Sequence, residues 1–454
     1  MITFTDQMFI LAILPLFLLL YYIVPAKYRA WPLFIFSAGF YCYNDYRYFG
    51  LLTGLIIINY LVGLLVKKEK KIPFVFIIFL NIGTLISFKA LGFMDKSILI
   101  PLGLSYYIFK LISYQADLFK GKIQKHTIFG LATYAFIFTQ IISGPIARYS
   151  YIEAGFATPL ENKNFKTRVY ETLYQIQDGL KLFIIGLFMK ICLADNLAIL
   201  WSNIKTIGYE SISTPLAWTG VYTYSLRLYY DFWGYSLMAA GIGIMLGFPF
   251  IKNFDQPYSS RTVAEFYRRW HMTLGEWFRD YIYFPLGGSR KGQLRTIINL
   301  LVVWLITGLW HGLTPNFMIW SGSLFIMILM EKFVFSKNDK LLAVIGRFHV
   351  WFMIPLTWGV FAITSIKNLG LYFARLFPLF GVGIAVNHRD IVYTVPKFAI
   401  YLIPAIIMLL PIWEKLYKKY KDTIIVQLLL LLMAIASMYF VINSGGNPFM
   451  YLRF

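Results

Sequence analysis

Charged residues are scarce in this chain of 454 residues, since Asp, Glu, Lys and Arg together make up only 14%. A soluble domain carries roughly 25%, so the composition excludes an ordinary soluble globular protein. The mean hydropathy of +0.65 agrees, and apolar runs of the ~20 residues that cross a bilayer recur from end to end. The alternating strands typical of a membrane β-barrel are missing. The sequence therefore predicts an all-α polytopic membrane protein.

Cysteine is nearly absent, because Cys42 and Cys192 are the two in the chain. Neither stands in a CxxC or metal-type spacing, so we expect no disulfide framework and no redox motif. The GxSxG signature of serine hydrolases and the Walker A spacing of phosphate-binding loops are missing as well. If this protein transfers a group, we expect the attacking hydroxyl to belong to the acceptor.

The apolar runs predict about eleven to thirteen membrane-spanning helices. The first run has no preceding Lys or Arg and no cleavage site after it, so we interpret it as a first span and not as a signal peptide. A run of about 34 residues at 214–247 could be one tilted helix or two short ones. The predicted spans are 4–24, 31–49, 50–66, 73–92, 98–118, 128–147, 176–196, 214–247, 294–311, 313–334, 347–366, 393–413 and 424–443.

The net charge is +21, and its positive residues stand mostly in short loops between apolar runs. This distribution follows the positive-inside rule, so nucleic acid is not an expected partner. Membrane lipids with anionic headgroups are one expected partner, and an anionic, phosphate-rich acyl carrier is the sharper alternative. The basic clusters at 67–71 and 120–125 predict cytoplasmic loops and an N-terminus outside the cytoplasm.

Asp231 lies within the apolar run at 214–247. An ionised carboxylate is costly at membrane depth unless it is paired, and Arg227 stands four residues earlier on the same helix face. Asp231 could therefore belong to a structural ion pair, which we favour, or to the wall of a polar cavity.

A charged and aromatic segment at 265–283 follows. It has no clean apolar stripe at helical spacing, so it cannot span lipid; it could lie at the headgroup level or re-enter the bundle and line a wet cavity. The Trp-His pair at its centre favours the cavity. Its charged and central residues are Glu265, Arg268, Arg269, Trp270, His271, Glu276, Arg279 and Asp280.

His311 ends the apolar stretch that contains Trp310, where a span is predicted. Burial favours the neutral imidazole, which is the form that a general base needs in order to take a proton from a hydroxyl. We therefore interpret His311 as functional. The other histidines are weaker candidates, since His126 and His388 stand in polar loops and His349 starts a span. A metal site at His271 and His311 lacks a third ligand, and a proton relay in a transporter would use the same two residues.

Four segments of the chain resemble the membrane-bound O-acyltransferase family, and within it the bacterial AlgI-like and DltB-like cell-surface acyltransferases. They are Tyr230–Ser236, Arg268–Arg290, Gly308–Gly312 and Asn447–Phe454. The resemblance implies one domain over residues 1–454 in a bacterial cytoplasmic membrane, built as a helical bundle around a polar tunnel. Asp231, Arg268, Arg269, Trp270, Glu276, Arg279, Asp280 and Trp310 are candidates for lining that tunnel or binding substrate.

The family also implies catalytic roles for two residues of this chain. His311 matches the intramembrane catalytic histidine, and His271 matches a second signature position that is usually His, Asn or Asp. We expect His311 to be the general base and His271 to orient or polarise the thioester carbonyl, without a bound cofactor or metal.

The Pro285–Arg290 continuation is more AlgI-like than DltB-like. It implies acetyl-CoA as the donor substrate, a cell-surface polysaccharide or peptidoglycan as the final acceptor, and a separate extracytoplasmic SGNH-type transferase as partner. Two alternatives stay open: transfer of D-alanine from an acyl carrier protein to teichoic acid, and a transporter or flippase without acyl-transfer chemistry.

Overall fold

The computed structural model describes residues 1–66, 71–95, 97–156, 164–378, 387 and 389–443. Within these ranges the regular secondary structure is helical and no strand is present, which confirms the predicted all-α class. Three sequence predictions fall partly or wholly outside the described residues: the basic cluster at 67–70, His388, and the terminal segment at 447–454.

The chain divides into two compact units, and the first comprises Met1–Leu187, Tyr235–Lys252 and Met438–Phe454. The hydroxyls of Tyr21 and Tyr22 donate to the carbonyls of Leu246 and Met245 at 2.9 and 2.6 Å, which ties the first helix to the end of the tenth. The helices that begin in this unit are α1 (Leu14–Ile23), α2 (Ala30–Gly63), α3 (Lys71–Met94), α4 (Leu104–Phe119), α5 (Ile128–Phe136), α6 (Phe138–Ile141), α7 (Tyr149–Phe156) and α8 (Phe165–Phe188).

The second unit comprises Phe188–Gly234 and Asn253–Ser437. The helices that begin in it are α9 (Asp195–Ile207), α10 (Thr214–Met245, which continues into the first unit), α11 (Val263–Arg269), α12 (Met272–Phe278), α13 (Gln293–His311), α14 (Pro315–Leu329), α15 (Asp339–Phe348), α16 (Ile354–Ala362), α17 (Ile366–Leu376), α18 (Asp390–Thr394), α19 (Ala399–Ile407), α20 (Trp413–Tyr420) and α21 (Ile424–Asn443, which also continues into the first unit). The predicted run at 214–247 is thus one helix.

Eight helices of the described chain are long and apolar enough to cross a membrane, whereas the sequence predicted eleven to thirteen. Part of the difference arises because helix boundaries do not follow apolar runs, and part because the predicted spans at 4–24, 98–118 and 214–247 do not correspond to any of the eight. The predicted spans at 31–49 and 50–66 form one helix with a kink at Asp45, and the span at 128–147 breaks at Ile137. The eight are Ala26–Gly63, Lys71–Met94, Phe165–Ile207, Gln293–His311, Pro315–Lys337, Asp339–Ala362, Asp390–Ile407 and Ile424–Asn443.

The distribution of side chains is that of a protein in lipid. Large apolar residues of α21 such as Ile425 and Leu432 are exposed, where hydrocarbon can cover them. Some polar side chains are enclosed and paired with each other, as when the amides of Asn59 and Asn81 donate to each other at 3.0 and 2.9 Å. A polar group at membrane depth needs such an internal partner, because lipid supplies none.

The segment after α10 does not span a membrane. Its helices α11 and α12 have seven residues each, about 10 Å of helix, whereas a bilayer core is about 30 Å thick. A π-helical turn, Arg279–Tyr283, follows. These short helices agree with the expectation that the stretch near 265–285 does not cross the membrane, and its re-entrant or interfacial placement stays a prediction.

Candidate active site

His271 lies in the second unit, at the junction of α11 and α12, and is 4% exposed. Its backbone has φ 45° and ψ 54°, the left-handed region. A residue other than glycine adopts this conformation at a cost of about 1–2 kcal/mol, and such residues cluster at functional sites. The turn directs the chain from one short helix into the next and places the imidazole in the interior.

Asn253 fixes the orientation of the His271 ring. Its side-chain oxygen lies 3.1 Å from Nδ1 of His271 and also accepts hydrogen bonds from the backbone N–H and the hydroxyl of Thr273, at 3.3 and 2.9 Å. The backbone of Asn253 adds a further tie, because its carbonyl accepts from the N–H of Met272 at 2.9 Å. Because the side-chain oxygen of Asn253 can only accept hydrogen bonds, Nδ1 of the imidazole must be the nitrogen that carries the proton.

The neutral form of His271 therefore presents a bare lone pair on Nε2. That atom is buried and has no hydrogen-bond partner among the residues that the structure describes. Burial lowers the pKa of His271 from 6.5 to about 3, because an imidazolium loses its hydration there. His271 thus fits a hydrogen-bond acceptor, and this tautomer has no N–H left with which to polarise a thioester carbonyl.

His311 is the last residue of α13 and is enclosed by aromatic rings. The ring centroids of Trp310, Trp320 and Phe361 lie 4.5, 4.9 and 5.1 Å from that of the imidazole. The C-terminal end of a helix favours positive charge, so this position stabilises an imidazolium that forms for a moment during proton transfer. The apolar walls exclude water from the ring.

Three tryptophans connect the surroundings of the two histidines; we call Trp270, Trp358 and Trp320 the aromatic bridge. Trp320 contacts His311, and its ring lies 5.8 Å from that of Trp358, which in turn lies 4.9 Å from Trp270, the neighbour of His271 in sequence. Within the second unit the aromatic bridge thus runs from His311 to the residue that precedes His271 in the chain.

Close packing of α13 on α14 positions His311. A Cβ atom on Gly308 would collide with the hydroxyl of Ser321 and would lie 3.1 Å from the carbonyl oxygen of Phe317. Gly308 stands three residues, nearly one turn, before His311, so glycine lets the helix that carries the imidazole touch the helix that carries Trp320.

Asp231 is buried and forms an ion pair with Lys190, at 2.8 Å. Lys190 also binds Asp195 at 2.5 Å and lies in a π-helical turn, Met189–Ala194. The predicted neighbour Arg227 instead has its guanidinium over the ring of Tyr224. Asp231 therefore belongs to a buried group of one cation and two anions, as the favoured interpretation of a structural ion pair requires.

The remaining tunnel candidates fall into two sets. Trp270 and Trp310 are buried beside the two histidines, whereas Arg268, Glu276 and Arg279 are exposed. Arg269 and Asp280 are half-buried in local ion pairs, with Glu265 at 2.6 Å and Arg279 at 2.9 Å. The lining roles of these residues stay predictions.

No residue group in the described chain offers three His, Cys, Asp or Glu side chains placed to hold a metal ion. The described residues offer two buried imidazoles, that of His271 with a bare nitrogen and that of His311 at a helix end among aromatic rings. Such a site can accept a proton from a hydroxyl and shelter the reacting atoms from water.

Residues 66–340 match the family model "MBOAT, membrane-bound O-acyltransferase family", a stretch that includes both histidines. The chain is 30% identical to "Probable alginate O-acetylase AlgI" of Pseudomonas fluorescens over 384 residues, 82% of this chain and 75% of the relative. It is 29% identical to "Peptidoglycan O-acetyltransferase" of Helicobacter pylori, covering 80% of this chain and 78% of the relative. "Teichoic acid D-alanyltransferase" of Bacillus subtilis is 29% identical over 55% of this chain and 66% of the relative.

Proposed function

The chain belongs to the membrane-bound O-acyltransferase family, and we propose that it moves an acetyl group from acetyl-CoA on the cytoplasmic side to a hydroxyl acceptor beyond the membrane. Membership makes the chain a multi-pass membrane O-acyltransferase; the donor, the direction and the acceptor are the proposal. The observation that carries it is the enclosure of His311 by Trp310, Trp320 and Phe361, because it puts a base where water is excluded.

In the proposed reaction His311 takes the proton of the acceptor hydroxyl. The oxygen attacks the thioester carbonyl carbon, the carbon–oxygen bond forms, and the carbon–sulfur bond breaks. The departing thiolate receives the proton back from the imidazolium, so the enzyme returns to its starting state. A positioned general base typically contributes about 10²–10⁴-fold to the rate.

His271 has a different part in this proposal from the one that the sequence predicted. Its Nε2 lone pair holds a hydroxyl or an amide N–H of a substrate, since Nδ1 already donates to Asn253. The neutral state persists across the physiological range because the pKa is about 3. His271 thus orients a substrate while His311 carries the proton.

The setting of the reaction follows from the resemblance and from the loop charges. We propose that the 454 residues act as one domain in a bacterial cytoplasmic membrane, surrounded by lipids with anionic headgroups, with the N-terminus outside. The acyl group then passes to a cell-surface polysaccharide or peptidoglycan, directly or through an extracytoplasmic SGNH-type partner. The relatives named for alginate and peptidoglycan acetylation support the acetyl group and this class of acceptor.

Transfer of D-alanine from an acyl carrier protein is the second candidate. The similarity to teichoic acid D-alanyltransferases favours it, although that similarity covers 55% of the chain or less. The two candidates share the role of His311 and differ in the donor and in the ester that is formed.

The test compares cells that carry the chain with cells that lack it. The quantity measured is the acid that mild alkali releases from esters on the envelope polymer. We expect acetate to be released from cells with the wild-type chain, and D-alanine would instead support the second candidate. His311→Ala should insert normally and abolish the ester, whereas His126→Ala, which alters a loop histidine bonded to Tyr114, should retain it. Full ester content with His311→Ala would remove His311 from the reaction.

A further inference from the structure

Glu331 is a buried carboxylate just past the end of α14, and the proposed reaction does not use it. It lies in a π-helical turn, Met330–Val334, and is 3% exposed. Its two oxygens accept hydrogen bonds from the backbone N–H of Val263, both at 2.9 Å, and one also accepts from Ala264 at 3.4 Å. These N–H groups open α11, so Glu331 caps the helix that ends beside His271.

His349 completes this arrangement. Its Nδ1 lies 3.0 Å from Oε1 of Glu331, and the ring is buried at the start of another π-helical turn, His349–Met353, which leads into α16. π-helical turns are rare and occur frequently at functional sites. His349, which the sequence offered only as a weaker candidate at the start of a span, is therefore a partner of a buried acid.

The Glu331–His349 pair joins three elements that carry the active site. Helix α14 holds Trp320 near its start and Glu331 just past its end; α16 holds Phe361 and follows His349; and α11 starts at the Glu331 carboxylate. Eleven helical residues separate Trp320 from Glu331, about 16 Å, so the pair is remote from His311. Any effect of the pair on the site must therefore pass through these helices and not through direct contact with His311.

A second close contact fixes the segment that leads into α11. A Cβ atom on Gly346 would collide with the carbonyl of Arg261, so the end of α15 touches the chain two residues before Val263. Thr262 also caps α11 by accepting from the N–H of Glu265 at 3.1 Å. The start of α11 is thus fixed by three contacts: the Glu331 carboxylate, the Thr262 cap and the packing of Gly346 on Arg261.

We propose that the Glu331–His349 pair is a positioning device that sets α11, and with it His271, relative to the aromatic enclosure of His311. The proposal rests on the proposed function of the two histidines. Loss of the carboxylate frees the start of α11, so Trp270 and His271 no longer hold their places against Trp358 and Asn253. Acyl transfer then remains possible, but a smaller fraction of the molecules holds His271 in the reactive arrangement.

Kinetics of the full-length protein in vesicles test the proposal, with labelled acetyl-CoA and a soluble hydroxyl acceptor. Glu331→Ala should lower kcat about 10–100-fold and leave KM for acetyl-CoA within twofold, and Glu331→Gln, which keeps an accepting oxygen, should recover most of the rate. Asp390→Ala is the matched control, because Asp390 is also buried and accepts from the N–H and hydroxyl of Ser213. Equal losses of kcat in Glu331→Ala and Asp390→Ala would reduce Glu331 to a general stabiliser and overturn the proposal.

Two further measurements separate this inference from the function on which it rests. In a His271→Ala background Glu331→Ala should cause little additional loss, because both changes remove one and the same arrangement; a full additional loss would overturn the proposal. Amide hydrogen exchange over residues 262–275 should accelerate in Glu331→Ala and remain unchanged in Asp390→Ala. That readout needs no activity, so it still tests the hold on α11 if His271→Ala proves fully active and the role of His271 fails.

Discussion

Replacing Asn253 by Asp should convert His271 from a permanently neutral group into one that titrates. In the native protein the Asn253 oxygen accepts from Nδ1 of His271 at 3.1 Å and from two groups of Thr273. An aspartate keeps an accepting oxygen at this position, so the turn retains its hydrogen bonds. The charge of the side chain beside the imidazole changes from zero to minus one.

The size of the effect follows from the distance. Two unit charges about 4 Å apart interact by about 4 kcal/mol at the effective dielectric constant of about 20 that suits protein sites, and 1.36 kcal/mol corresponds to a tenfold change in a protonation equilibrium. The carboxylate therefore favours the imidazolium by roughly a thousandfold, which moves the pKa of His271 from about 3 toward neutrality. Below that pKa Nε2 carries a proton and can no longer accept a substrate hydrogen bond.

The assay is the initial rate of acetyl transfer by vesicles equilibrated between pH 5 and pH 8, expressed as the ratio of Asn253→Asp to wild type. Taking the ratio cancels titrations that both proteins share. We expect a ratio near its maximum at pH 8 that falls toward acid, and no such fall when His271→Gln is added as a control. A ratio independent of pH would refute the assignment of the proton to Nδ1 and of the acceptor role to Nε2.

Three other predictions concern stability. The pKa of His271 is about 3 in the native protein and 6.5 in the unfolded chain, so the unfolded chain binds more protons between these values. The free energy of unfolding therefore falls as pH drops through this window, by about 2 kcal/mol from pH 6.5 to pH 5. His271→Gln should flatten the dependence of Tm on pH, and a slope equal to that of the wild type would contradict the prediction. Gly308→Ala should cost about 1–3 kcal/mol through collision of α13 with α14, whereas Gly322→Ala, with open space around its Cβ, should be neutral or stabilising. Lys190→Ala should cost about 3–5 kcal/mol by leaving buried carboxylates uncompensated, and an unchanged Tm would show that Asp231 does not depend on Lys190.

The helical class could be predicted because it depends on local composition, and His311 was a candidate for the same reason; the catalytic roles of His311 and His271 stay predictions. Hydropathy over ~20 residues identifies a membrane helix, and a histidine within such a run is conspicuous in the sequence. The number of spans was less accessible, since the break at Ile137 and the kink at Asp45 are local backbone conformations that an average over an apolar run does not register.

The partners of the functional residues could not be predicted, because tertiary packing chooses them. Asn253 stands 18 residues from His271, and Glu331 stands 68 residues from Val263. One signal was present for Asn253, a polar Asn-Phe-Asp segment that follows an apolar run and precedes the Trp-His pair. For Lys190 the spacing rule for helices pointed to Arg227 as the partner of Asp231, and the π-helical turn that delivers Lys190 has no sequence signature that we recognise.

The most direct test of the account is acyl transfer by the purified protein in sealed vesicles. Labelled acetyl-CoA is supplied on the face that carries the Lys120–Lys125 loop, and a hydroxyl acceptor on the opposite face. We predict ester-linked label on the acceptor with the wild-type protein and a loss of about 10²–10⁴-fold with His311→Ala. Undiminished ester formation by His311→Ala, or the arrival of intact acetyl-CoA on the far side without any ester, would contradict the account.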